Sequence, residues 1–170
     1  MILYHGSTVA VQFPRLIQSD KGRDFGTAFY LTDLQAQAEK WAWRHARINR
    51  LNGLQDAKAI VSVFVFDEVE AHSSLKWLEL PQANLEWLEL VLKCRGDISY
   101  NHGFDIVSGK IADDNVGRTV SYVQQGIMRK EDALERLKFQ QINNQIAFCT
   151  LKALQFLHYQ KHYSITKEPV

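Results

Sequence analysis

Apolar positions along the chain change period from segment to segment. Ile2-Leu3-Tyr4-His5 is a short apolar run closing on Gly6, and it predicts a first strand over Ile2–His5. No period holds from Gly6 to Gly26, where Pro14, Gly22 and Gly26 punctuate an irregular stretch. Ala28–Leu31 predicts a second strand. It leads into Thr32-Asp33-Leu34-Gln35, a capping-box pattern in which the Thr hydroxyl and the Gln side chain would meet the free amides of a helix start. Leu34, Ala38, Trp41, His45 and Ile48 then recur at helical spacing and define the expected buried face, with Asn52-Gly53 as the stop.

The rest of the chain mixes the two periods. Ala59–Asp67 is rich in β-branched and aromatic residues and reads as a strand. Asn84–Lys93 reads as a helix burying Leu85, Leu88 and Leu92. Phe104–Ala112 is expected as a strand pair or one strand bent at Gly109, and Asp113-Asp114 as the cap of a helix reaching Gly126. A further helix over Arg129–Phe139 would turn Ala133, Leu134 and Leu137 inward. After Asn143-Asn144 follow a strand at Gln145–Thr150, a short helix at Lys152–Leu157 and a last strand at His158–Ile165. Strands and helices do not strictly alternate, so the expected class is α+β, in a single domain spanning residues 1–170.

Composition narrows the function classes. With 46% hydrophobic and 23% charged residues the chain has the balance of a globular protein. No apolar run approaches the roughly 18–20 residues of a membrane span, and no leader pattern opens the chain, so a cytoplasmic location and no membrane partner are expected. A net charge of +1 supplies no global field toward nucleic acid. Arg44, His45, Arg47 and Arg50 crowd one helical stretch, which reads as a solvated helix face. Cys94 and Cys149 lack metal-type spacing and read as reduced core residues. His158 and His162 lie four apart with no further ligands evident, so no metal site is expected.

Dinucleotide glycine loops, phosphate loops, zinc-protease motifs and nucleophile elbows are all missing. What remains is a set of polar residues at strand edges. His5 ends the first strand beside Gly6, Tyr30 lies in the second just before Thr32, and Gln145 opens a strand after Asn143-Asn144.

In order and context, "YHGS", "DFGTAFYLT" and "NNQIAF" resemble the ADP-ribosyltransferase superfamily, the fold of diphtheria-like toxins and poly(ADP-ribose) polymerases. More narrowly the chain is similar to a bacterial family of unknown function with glutamine at the third position. The resemblance covers most of the chain, "FDIVSGKIADD" included. It implies a split β-sheet core with surrounding helices and NAD as the ADP-ribose donor.

Carried onto this chain, the resemblance places His5 on a ribose hydroxyl, the Gly6 backbone on the nicotinamide carboxamide and Tyr30 against the nicotinamide ring. Ser7 and Thr32 would stand beside them, and Arg15, Lys21 or Arg23 would meet the phosphates. Cleavage of the nicotinamide–ribose bond would pass through an oxocarbenium-like transition state. Many members place a glutamate where this chain has Gln145, and an amide accepts a hydrogen bond without bringing charge. Asn143, two residues earlier, cannot act as a base. Asp105, Asp113 and Asp114 are the other carboxylates to consider, although the last two read as helix caps and Asp105 as a partner for Arg95.

The expected activity is therefore ADP-ribosyl transfer to a macromolecular acceptor, protein or nucleic acid, in a toxin-like effector checked by an inhibitor protein. The alternatives are an NAD glycohydrolase and a non-catalytic NAD-binding module of the same fold.

Overall fold

The computed structural model describes residues 1–19, 22–110, 114–137 and 144–169. Lys21, Asp113, Asn143 and the side chain of Asp114, all named above, lie outside the described residues, as do positions 111–112 and 138–139 of two expected elements.

The first sheet joins β1 (Ile2–Ser7), β3 (Ala59–Phe66) and β7 (Leu157–Ile165) in the order β1-β3-β7, antiparallel throughout. In the second, β2 (Phe29–Leu31), β6 (Asn144–Phe148), β5 (Ile106–Lys110) and β4 (Trp77–Leu80) run in the order β2-β6-β5-β4, with only the β4–β5 pair parallel. Among the described residues the two sheets join at one antiparallel bridge, where Tyr4 and Thr32 exchange hydrogen bonds of 2.8 and 3.0 Å.

Side-chain alternation then fixes the layers. Phe29 and Leu31 of β2, Ile146 and Phe148 of β6, Leu3 of β1 and Phe64 and Phe66 of β3 form one core between the sheets. Tyr30 and Ala147, one residue out of phase, face a second core with α3 (Leu85–Gly96), α4 (Asp114–Gln124) and α5 (Lys130–Leu137). A third core lies under α1 (Gln35–Leu51), which covers β1 and β3. The molecule is mixed α+β, with two sheets stacked between outer helices.

Three expectations change in physical detail. Helix α1 starts at Gln35 with Leu34 at its N-cap and no side-chain cap; Thr32 Oγ1 accepts from the Leu34 amide at 3.1 Å, while Gln35 Nε2 donates to Glu39 rather than to the helix end. Its fully buried stripe is Ala38, Ala42 and Ala46, whereas Leu34 and Ile48 are exposed and Trp41 is half-buried. The cause is Gly6. A Cβ there would overlap the Ala38 carbonyl oxygen and lie 2.9 Å from the Ala42 amide, so helix and strand approach backbone to backbone and admit only small residues. Finally, α2 (Glu68–Ser74) and β4 were not anticipated, and the Phe104–Ala112 stretch contributes the single strand β5. Pairing against β5 makes a strand of Trp77–Leu80, a run too short to declare itself.

Candidate functional site

Beyond the Tyr4–Thr32 bridge β1 peels away from β2, and the His5 side chain fills the gap. Its Nδ1 lies 2.8 Å from the Tyr30 carbonyl oxygen, and its ring packs on Phe29 with centroids 4.5 Å apart. A carbonyl only accepts, so Nδ1 carries the proton and Nε2 is the acceptor of a neutral imidazole. Burial lowers the His5 pKa, and the charges of His45 and Arg23 lower it further against the opposing Tyr30 bond. His5 is therefore a neutral hydrogen-bond acceptor at physiological pH. It opens on a cleft of about 910 Å³ lined by Ser7, Gln12, Arg15, Gln18 and Phe29 among others.

Tyr30 lies on the opposite face of β2, only 6% exposed. Its hydroxyl donates to the Gly26 carbonyl at 2.7 Å and accepts from the Phe25 amide at 3.2 Å. Gly26 holds φ at 77°, which lets the turn bend its carbonyl back onto the ring that follows it. Burial raises the Tyr30 pKa well above its ordinary value, so the phenol stays protonated. The exposed Arg23 covers the ring, its guanidinium carbon 5.4 Å from the centroid.

Gln145, 3% exposed, shares the Tyr30 face of the sheet. Its Nε2 donates to Asp24 Oδ2 over a long 3.3 Å. Asp24 is 7% exposed and receives Arg95 Nε at 2.7 Å and Nη2 at 2.6 Å, both on Oδ1. The "DFG" stretch is thus a clamp: Asp24 holds Gln145, while Phe25 and Gly26 hold Tyr30.

The structure brings Tyr30, Arg23 and Gln145 together on one side of β2 and hangs His5, Ser7 and the cleft on the other. Between them runs β2, whose edge is flanked by the Tyr4–Thr32 and Ile17–Ala28 bridges and capped at Tyr30 by His5. Thr32 serves the bridge and the start of α1, and the Gly6 Cα is taken up by α1 packing. Arg95 pairs with Asp24 rather than with Asp105. The Asp105 carboxylate instead clasps the Lys76 amide at 3.0 Å and the Thr150 hydroxyl at 2.7 Å. Burial works to raise its pKa, but these bonds and the nearby lysines bring it below the ordinary value, which suits a structural anion and not a base.

Two participants escaped the sequence reading. Asp24 stood inside the "DFGTAFYLT" motif without a role, because its partners are remote in sequence. Gln37, 6% exposed, interrupts the alanine-lined inner side of α1 and donates to the Asn144 carbonyl at 2.8 Å, one residue before Gln145. Its Oε1 is buried with no partner among the described residues. A polar residue on a buried helix flank was the available signal.

Neither cysteine is activated. Burial pushes the Cys94 and Cys149 thiols up to about 12, far from a nucleophilic thiolate. No group of three or more potential metal ligands forms among the described residues, and His162 Nδ1 lies 2.6 Å from the Tyr159 hydroxyl instead. No helix among them is long and apolar enough to cross a membrane. A family model described as "Protein of unknown function (DUF3990)" matches residues 1–159. No curated protein and no solved structure matches the chain.

Proposed function

The chain belongs to the DUF3990 family, and from its site we propose that it is an NAD-dependent ADP-ribosyltransferase that modifies a macromolecular acceptor. The observation carrying this is His5 at the parting of β1 and β2, a neutral ring whose Nε2 is held ready to accept from a hydroxyl. Two separate sheets meeting at the Tyr4–Thr32 bridge are compatible with the split-sheet core that the resemblance implies.

The residues present fit NAD in chemical type. A cleft of about 910 Å³ lies within the usual range for small-ligand sites. Arg15 on its wall and Arg23 at the β2 edge offer two cations for a diphosphate. For a ring to stack on Tyr30, Arg23 must first swing aside, and an exposed arginine does so at small cost.

Bound NAD supplies the scissile nicotinamide–ribose bond, whose electron pair departs with the nicotinamide nitrogen while the acceptor's nucleophile bonds the ribose carbon and releases its proton. The chain's own contribution is to hold and orient. His5 fixes a hydroxyl, the Tyr30 phenol stays neutral, and Gln145 supplies an amide on the same face of the sheet as Tyr30. None of these groups is a free carboxylate base, so the reading calls for an acceptor that is already nucleophilic or for a base elsewhere in the chain. The effector role and the inhibitor partner rest on the superfamily resemblance alone.

The test is calorimetric binding of NAD followed by incubation with labelled NAD and a cell lysate, split for protease and nuclease treatment. We expect binding, transferred label removed by one of the two treatments, and at least a tenfold loss of affinity (about 1.4 kcal/mol) in His5→Ala and Arg23→Ala. Nicotinamide release without transferred label would make the protein a glycohydrolase. Binding without release would make it a silent module. No binding, or unchanged affinity in His5→Ala, overturns the NAD site.

A further inference from the structure

We propose that Asp24 is a positioning residue for this reaction: its carboxylate, anchored by Arg95, sets the orientation of the Gln145 amide and presents the amide oxygen, made more negative, to the ligand. The inference rests on the ADP-ribosyl-transfer reading and supplies what that reading lacks, a source of negative charge where the chain has glutamine instead of glutamate.

An isolated glutamine can rotate its amide by half a turn and offer either a donor or an acceptor. Here the choice is forced. An ionised carboxylate only accepts, so the Gln145 atom facing Asp24 Oδ2 at 3.3 Å is the NH₂ nitrogen, and the oxygen is turned away from Asp24. Asp24 itself cannot turn, because two Arg95 nitrogens hold Oδ1 at 2.7 and 2.6 Å. The hydrogen bond also draws electron density through the amide onto its oxygen, a polarisation that is stronger in a buried network. With Asp24 at 7% and Gln145 at 3% exposure, little solvent screens it. The device also links two halves of the site, since Phe25 and Gly26, the next two residues, fix the Tyr30 hydroxyl.

Replacing Asp24 by its neutral isostere inverts the arrangement. In Asp24→Asn the single amide oxygen goes to Arg95, the new NH₂ faces position 145, and Gln145 must rotate its own oxygen inward to accept from it. The ligand then meets a donor where it needs an acceptor. In the double variant Asp24→Asn/Gln145→Glu, one glutamate oxygen accepts from the new amide at position 24 and the other is presented outward, so the correct polarity returns.

The experiment has two readouts. In the ligand-free protein, the Gln145 side-chain amide signals are assigned by NMR through their loss in Gln145→Met, and their solvent exchange is measured. We expect exchange at least about tenfold slower than for exposed glutamines in the wild type, with that protection lost in folded Asp24→Asn. Nicotinamide release from NAD should then fall about 10²-fold in kcat for Asp24→Asn, with KM little changed, and return to within tenfold of wild type in the double variant. A role limited to stability would not be rescued by moving the charge.

Unprotected Gln145 amide protons in the wild type overturn the proposal, and that outcome requires no variant to fold except the assignment control. Wild-type turnover with folded Asp24→Asn at undiminished kcat also overturns it, and leaves the NAD reading standing. If Asp24→Asn does not fold alone, the double variant, which retains one buried carboxylate, is compared with wild type, and loss of its turnover counts against the proposal. A protected Gln145 in a wild type that neither binds nor cleaves NAD refutes the NAD reading, and the positioning role falls with it.

Discussion

At the scale of single residues, hydrogen-bond direction decides more than proximity. His5 and His102 each use one ring nitrogen to donate to a carbonyl, of Tyr30 and of Phe25 respectively, and His102 Nδ1 also accepts from the Phe104 amide at 3.1 Å. Burial lowers the pKa of both below 6.5, the carbonyl bonds opposing it. The unfolded chain therefore binds protons more readily than the fold as pH drops below that value. Their stabilising share is intact above pH 6.5 and drains away as pH falls toward and through the lowered folded-state values. Thermal unfolding between pH 8 and pH 5 should show the melting temperature dropping on the acid side, with a shallower drop in His102→Asn. An equally steep acid limb in that variant would mean that His102 does not take part.

At the scale of elements, one glycine sets the geometry of a helix. α1 has a buried stripe of three alanines because β1 presents Gly6 beneath it, and a methyl group at Gly6 has nowhere to go between the Ala38 carbonyl and the Ala42 amide. The neighbours are backbone, which cannot step aside without lifting the helix. Gly6→Ala should cost about 3 kcal/mol or more, at the upper end of overpacking penalties, as measured by denaturant unfolding. A midpoint within error of wild type would show that α1 has freedom to shift. It also bears on the NAD reading proposed above: any loss of NAD binding in a Gly6 variant would report the packing of α1 as much as the cleft, so His5 and Arg23 are the better probes of that reading. The notion of an apolar Trp41–His45–Ile48 stripe failed for the same reason. Helical spacing is satisfied by several stripes at once, and the neighbouring strand selects the one small enough to fit.

Across the whole molecule, the stacked sheets and their outer helices bury the two thiols that would compete chemically with the site. Cys94 lies on the fully buried face of α3, and Cys149 follows β6, half-buried. With both thiols pushed up to about 12 by burial, thiolate is scarce at neutral pH. Thiol reagents at pH 7.5 should therefore label the native protein far more slowly than the unfolded chain, and labelling should accelerate across the unfolding transition. Rapid, stoichiometric modification of the native state would contradict the packing described.

Much of this protein was legible from sequence because local chemistry specified it. β3 announced itself by its β-branched and aromatic run, and strands were also expected at β1, β2, β6 and β7. α3 was expected over nearly its observed span, but its buried face is Trp87, Leu88, Val91 and Cys94, while Leu85 is exposed, because the Asn84 side chain caps the Trp87 amide and sets Leu85 at the outer first turn. His5, Tyr30 and Gln145 stood out as polar residues at strand edges, where backbone positions them. Only tertiary structure could show that His5 reaches the Tyr30 carbonyl, that Arg23 lies on the Tyr30 ring, or that Asp24 stands between Arg95 and Gln145. Asp24 lies 71 residues from Arg95 and 121 from Gln145. A hydrogen bond across such a separation leaves no periodic trace in the chain, because the sheet order and the helix stacked on it, and not the local sequence, determine which side chains meet.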